Sequence, residues 1–306
     1  MQIFVTGGSG YIGRVVVAEL VGRDHAVTGL ARSEDSAAAL SDLGAATVAG
    51  DLWSADEWGP AARAADAVIH LAMDLKSPAE GDAAAFDAVL GPPHTGQRGF
   101  DTAAGPAFVY TSGLWVVGDT GGATVGDDAD TSHPAELVAW RVPSENRVLG
   151  AAAAGRTAAV VRPGSVYGRG GGASARMFAT AVKSGAAEYV GDGENRWSSI
   201  HVDDLARLFA LVVETGATGP INAVDGHPER VAEIAEAASR TAGAEGRTNP
   251  LPLEQVRQKL GAYADALCLD IGADAPAARA LGWVPSRESF TACADAAFSE
   301  WAATRG

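Results

Sequence analysis

The chain has 306 residues, 47% of them hydrophobic and 20% charged, enough for one large or two modest domains around a proper core. Its formal net charge of −15 argues against a surface for nucleic acid or an anionic membrane, which needs clustered cations, and lysine is confined to Lys76, Lys183 and Lys259. No window holds about eighteen uninterrupted apolar residues and Met1 leads directly into a strand, so neither a membrane span nor a signal peptide is expected and the cytoplasm is the default.

In chain order, the Ile, Phe and Val run that begins at Gln2 reads as a buried first strand, and a helix from about Arg14 to Val21 follows the turn Gly7-Gly8-Ser9-Gly10-Tyr11-Ile12-Gly13. Gly7 can take backbone angles denied to other residues. Gly10 carries no side chain to hold a pyrophosphate off the main chain, and Gly13 lets the helix pack closely. The amides at the helix start face the anion, which makes Gly7, Ser9, Gly10, Tyr11, Ile12 and Gly13 the expected cradle. A second strand, Ala26 to Leu30, ends at Ala31-Arg32-Ser33, where an NAD site carries an acid. Here Arg32 can grip a 2′-phosphate bidentately and Ser33 can add a hydroxyl, which favours NADP(H); the bland reading of Arg32 is a solvated strand end.

A helix around Asp35 to Leu43, a third strand from Ala46 to Ala49 ending in Asp51-Leu52, and a fourth strand from Ala67 through Leu71-Ala72 continue the alternation. A helix from about Asp82 to Leu90 precedes an irregular stretch between Gly91 and Gly105. Ala107 to Ser112 is the fifth strand, followed by an acidic, glycine-rich loop from Gly118 to Asp130, a long helix from Pro134 to Ala154 and a sixth strand from Ala158 to Arg162. A helix reaching about Glu214 and a returning strand from Pro220 to Val224 come next, and amphipathic helices fill the rest. The fold class is therefore α/β, a doubly wound parallel Rossmann sheet with a smaller, mainly helical C-terminal substrate domain. Residues 1–165, with a return segment near 200–225, are expected to bind the dinucleotide, and residues 166–306 the substrate. Cys268 and Cys293 have no partner at metal spacing and read as reduced core thiols; no metal site is expected.

The Gly7-x-x-Gly10-x-x-Gly13 spacing resembles the short-chain dehydrogenase/reductase superfamily in its extended, epimerase/dehydratase-like branch. Arg162-Pro163-Gly164-Ser165-Val166-Tyr167-Gly168, Gly191-Asp192-Gly193 with Arg196-Trp197, and Leu281-Gly282-Trp283-x-Pro285 carry the likeness along nearly the whole chain. The resemblance implies that Asp51 and Leu52 hold the adenine, with an Asp51 that caps the following helix as the bland alternative, while Leu71 and Ala72 pass beneath the pyrophosphate and the nicotinamide ribose. It also implies a catalytic Tyr with a Lys four residues on, which lowers the phenol pKa, and a Ser or Thr after strand five.

That pair does not exist here, because none of Tyr11, Tyr110, Tyr167, Tyr189 and Tyr263 has a Lys four residues downstream. Aligned on Ser144, Arg141 takes the Tyr position and Glu145 the Lys position, one helical turn apart, where an ion pair facing solvent is the bland alternative. Register puts the family's hydroxyl at Gly113, with Ser112 beside it. Candidates for the chemistry are Ser112 to hold the substrate oxygen, Arg141 to polarise a carbonyl and Tyr167 at the domain mouth; the bland alternatives are a Ser112 hydroxyl satisfied by backbone and a Tyr167 ring that packs the turn. Asp74 can reach the nicotinamide edge, Trp115 and Trp197 can wall an apolar substrate, and His201 is more readily structural. The pattern Tyr110-Thr111-Ser112-Gly113-x-Trp115 with Trp140-Arg141 resembles a bacterial subgroup of extended reductases, so the substitution reads as a subgroup feature. The expected activity is NADP(H)-dependent reduction or oxidation of a small or medium carbonyl or alcohol. A non-redox isomerase, dehydratase or cyclase, or a silent NADP-binding protein, stays open. A small molecule is the expected partner, with a homodimer left open.

Overall fold

The computed structural model describes residues 1–91 and 105–305, so most of the stretch read as irregular between Gly91 and Gly105 lies outside the described residues. The chain divides into two compact units. The first comprises Met1–Ser112, Trp140–Val161 and Ala206–Ile221; the second comprises Gly113–Ala139, Arg162–Leu205 and Asn222–Gly306. Among the described residues no helix is long and apolar enough to cross a membrane.

The first unit is built on strands β1 (Gln2–Thr6), β2 (Ala26–Ala31), β3 (Ala46–Ala49), β4 (Ala67–His70), β5 (Ala107–Thr111), β6 (Ala158–Pro163) and β7 (Gly219–Ala223). They lie in the order β7-β6-β5-β4-β1-β2-β3, and every pairing from β3 across to β6 is parallel. A parallel sheet is covered on both faces, and β4 and β6 are accordingly buried along their whole length. The covering helices include α1 (Tyr11–Gly22), α2 (Glu34–Asp42), α3 (Ala55–Ala64), α4 (Pro78–Leu90) and α5 (Arg141–Ala153). One face of the sheet is filled by Phe4, Trp58, Val68, Phe86, Phe108, Tyr110 and Val148, with Phe4 stacked on Trp58 at 5.7 Å.

The helix expected from Pro134 instead starts at Arg141, after a short 3-10 turn at Glu136–Val138. Pro143 sets this start. The first amides of a helix have no internal partner, so proline costs nothing there, whereas deep inside a helix begun at Pro134 it would remove a hydrogen bond and clash. As a result Arg141 occupies the first helical position, close behind the end of β5.

The second unit centres on helices Ala173–Ser184, Val231–Thr241 and Ala294–Ala303, which pack Met177, Phe178, Ile234, Phe290 and Trp301 together. Strand Ser165–Gly168 pairs in parallel with Ser199–His201, and Ala187–Val190 with Thr248–Leu251. The residues after Val224 are thus not purely helical. The segment containing Trp283 is fixed by Asp204, whose carboxylate accepts from the backbone amides of Ser286 and Arg287 while its carbonyl accepts from the Trp283 indole at 3.0 Å. Both cysteines are free.

Candidate functional site

At the carboxyl end of β1 the chain turns on Gly7 at φ +70°, and the Gly10 amide closes the turn onto the Gly7 carbonyl at 3.0 Å. A Cβ on Gly7 would sit 2.5 Å from the Ala72 nitrogen, and one on Gly13 would sit 2.1 Å from the Gly7 oxygen. These two glycines let β4 and α1 close on the turn. At Gly10 the same added carbon would meet nothing but the Gly7 oxygen at 3.2 Å, so its outer side is open. Helix α1 then begins with an extended Gly10, no side-chain cap and no acid in its first turn. An uncapped helix start beside open space suits an anion. The exposed Arg14, which the sequence reading passed over, bonds the Ser9 carbonyl at 3.1 Å and braces the turn.

At the end of β2 Arg32 is exposed, and no carboxylate among the described residues is paired with it. Ser33 is the N-cap of α2: its hydroxyl accepts from the Ser36 amide and donates to the Ser36 hydroxyl, each at 3.2 Å. The expected phosphate contact from Ser33 therefore meets a competing structural use, with Glu34 and Asp35 next in the helix. Leu52 is buried, while the Asp51 carboxylate accepts from the amides of Trp53 and Ser54. Asp74, read as able to reach the nicotinamide edge, is held in a turn: the amides of Ser77 and Lys76 donate to it at 2.8 Å and hold its carboxyl below the usual range. The Leu71 amide bonds the Thr6 carbonyl and the Ala72 amide the Thr6 hydroxyl, which seats both residues beneath the glycine turn.

The ion pair with Glu145, the bland alternative for Arg141, does not form, and no carboxylate among the described residues pairs with this guanidinium. Its Nη1 donates to the Tyr110 hydroxyl at 2.9 Å and to the Thr111 carbonyl at 3.0 Å, and its Nη2 meets the Met73 sulfur at 3.3 Å. The guanidinium lies over the Trp140 ring at 4.4 Å. Nε–H and one Nη2–H make no bond to the described residues, which leaves a half-buried cation with donors to offer. The hydroxyls of Thr111 and Ser112, at the end of the same strand, are buried without a hydrogen-bond partner. A buried polar atom without a partner is uncommon and marks a place for a ligand group or water.

Behind Arg141 runs a polar chain that the sequence reading missed. Tyr110 donates to Asp82 Oδ2 at 2.5 Å, Asp82 Oδ1 meets His70 Nε2 at 3.1 Å, and His70 Nδ1 meets the Thr6 hydroxyl at 2.8 Å. All four residues are 1% exposed. Thr6, His70 and Tyr110 are register neighbours across β1, β4 and β5, so they share one face of the sheet, and Asp82 reaches them from α4. The signal for finding them was a polar residue near the end of each of three otherwise apolar strands.

Of the two readings of Tyr167, substrate contact or packing of the turn, its surroundings match packing: it is 2% exposed, lies edge-on to His201 and Phe290, and its hydroxyl donates to the Ser289 carbonyl at 3.4 Å. Burial raises its pKa, so the phenol stays neutral. Trp115 packs against Tyr263, the Trp197 indole bonds the Leu267 carbonyl, and His201 is buried between the Asp203 amide and the Glu300 carboxylate. In the second unit Asp225, also missed, has one carboxyl oxygen on the His227 amide at 2.8 Å and the other without a partner. Burial, opposed by that amide and assisted by Glu229, pushes its pKa up to about 8.

The parallel sheet in this order, with a glycine turn at the end of β1, defines a Rossmann protein of the extended short-chain dehydrogenase/reductase class. The chain belongs to the NAD dependent epimerase/dehydratase family, whose model matches residues 3–89 and 139–224. It is 33% identical over 230 residues to an uncharacterized protein of Saccharomyces cerevisiae, covering 72% of this chain and 73% of that one. It is 28% identical over 264 residues to the 4-hydroxy-2-methyl-3-oxo-4-farnesyl-3,4-dihydroquinoline-1-oxide ketoreductase of Stigmatella aurantiaca, covering 84% and 78% of the two chains. The crystal structure of a human epimerase family protein with NADPH superposes with a TM-score of 0.76 at 21% identity over 98% of this chain and 99% of that one.

Proposed function

We propose that this protein is an NADP(H)-dependent reductase or dehydrogenase of a small or medium organic carbonyl or alcohol, in which Arg141 and Ser112 hold the reacting oxygen. The observation that carries the reading is the half-buried Arg141, with uncommitted donors, anchored to the strand end that also bears the unpartnered hydroxyls of Thr111 and Ser112. A guanidinium cannot give up its proton near neutral pH, but it stabilises negative charge as it develops on a carbonyl oxygen.

The residues present fit the dinucleotide, because the open side of Gly10 and the uncapped start of α1 leave room and positive potential for a pyrophosphate. In this reading Gly7, Ser9, Gly10, Tyr11, Ile12 and Gly13 cradle it, Arg32 selects the 2′-phosphate, Asp51 and Leu52 take the adenine, and Leu71 and Ala72 line the floor. When bound, the nicotinamide supplies or accepts the hydride. Arg141 holds the substrate alkoxide, and its proton comes from water: Tyr110 already donates to Asp82, and burial raises its pKa further. Support for reduction and for NADP(H) also comes from the ketoreductase named among the relatives and from the NADPH in the human protein's crystal structure.

The test is NADPH oxidation with a panel of carbonyl compounds, followed at the nicotinamide absorbance band. Arg141→Ala is expected to lower kcat on the order of 10²-fold and Ser112→Ala ~10-fold, with coenzyme affinity unchanged. Product formed with no change in coenzyme redox state would move the protein to isomerase, dehydratase or cyclase chemistry. Coenzyme binding with no turnover of either kind would leave a silent NADP-binding protein.

A further inference from the structure

A buried carboxylate is expensive unless donors surround it, and the face around Asp82 is otherwise made of Phe86, Phe108 and the stacked ring of His70. An apolar side chain there would serve the core at lower cost, so the use of Asp82 has to be sought at the end of the chain it starts. The directions of the hydrogen bonds onto Asp82 follow from its being an acceptor. The Asp82 carboxylate can only accept, so His70 Nε2 carries a proton and gives it to Asp82, while Nδ1 meets the Thr6 hydroxyl, which also accepts from the Ala72 amide. Asp82 also receives the Tyr110 proton at 2.5 Å, so the phenol oxygen has only its lone pairs left to offer, and one of them takes Arg141 Nη1 at 2.9 Å. Asp82 thus dictates the orientation of the Tyr110 hydroxyl, and an oriented hydroxyl is a fixed acceptor for Arg141. The same carboxylate is a negative charge one phenol away from a guanidinium that has no carboxylate partner of its own.

We propose that Asp82, acting through Tyr110, is the positioning residue for Arg141, with His70 and Thr6 locking the carboxylate from behind. The proposal rests on the reductase reading for its kinetic consequence only; the restraint on Arg141 is a property of the protein by itself. Two of the guanidinium nitrogens are pinned by Tyr110, Thr111 and Met73, and the donors that remain point where that restraint sends them.

The experiment uses full-length protein labelled with 15N-arginine. The Arg141 guanidinium signals, assigned by their loss in Arg141→Lys, are followed in wild type, Tyr110→Phe, Asp82→Asn and the control Asp87→Asn, which changes an exposed acid of the same helix paired with Arg147. Wild type and Asp87→Asn are expected to show resolved signals from slow rotation about the Cζ–N bonds. In Tyr110→Phe and Asp82→Asn these collapse to an averaged signal. With any carbonyl substrate that turns over, the same two variants lose ~10-fold or more in kcat with little change in KM. Resolved Arg141 signals persisting in folded Tyr110→Phe would overturn the proposal, as would a lowered melting temperature with kcat unchanged. Should Asp82→Asn fail to fold, Tyr110→Phe carries the test. Should no carbonyl react, the reductase reading falls while the guanidinium signals still decide this one.

Discussion

Asp82 in the first unit and Asp225 in the second are both carboxyls taken out of water, at 1% and 7% exposure, yet their surroundings differ in kind. Asp82 receives a phenol proton and an imidazole proton and anchors a directional chain. Asp225 receives one backbone amide, keeps an oxygen without a partner, and with its pKa at about 8 is a neutral acid at physiological pH. Depth alone does not decide what a buried acid becomes. The number and direction of the donors around it do.

The comparison can be broken from either side, and the largest effect is expected at Asp82. Asp82→Ala strands the donors of Tyr110 and His70 and should cost roughly 3–5 kcal/mol in urea unfolding, with the midpoint falling and the slope kept. At Asp225 the sign is opposite. Its raised pKa means that its contribution is fully present below the ordinary value of 3.8 and is lost as pH rises toward about 8. Asp225→Asn should therefore match wild type near pH 4, gain on it through the intervening range and level off above pH 8 at roughly 2–4 kcal/mol more stable, as read by thermal melts across pH. Asp270 sharpens the contrast: hydrogen bonds from Arg196 pull its pKa down to about 2, so its contribution is present above 3.8 and lost as pH falls. Asp270→Asn should cost about 1 kcal/mol at neutral pH and almost nothing at pH 2, the smallest of the three effects because the pair is partly exposed.

The sheet and the glycine turn were legible because their causes are local. Runs of Ile, Val and Ala make the strands, and position 7, where positive φ coincides with the close approach of Ala72, leaves no room for a side chain. The start of α5 was also written locally, in Pro143, but a helix-forming composition on either side of it masked the signal. The partners of Arg141 were not legible. Thr6, His70 and Tyr110 are brought together by strand order, which places β4 between β1 and β5, and no short window of sequence contains that order. Tyr167 misled for a related reason: its motif marks a strand, but whether the ring faces a cleft or a core depends on His201 and Phe290, which arrive from far along the chain.

With the Ser33 hydroxyl held by Ser36, the proposed choice of coenzyme rests on one exposed side chain at position 32, with Glu34 and Asp35 just behind it. A selector of that kind is shallow. Under the proposed reading, reversing it calls for one substitution rather than a rebuilt pocket, while the glycine turn a strand away stays as it is.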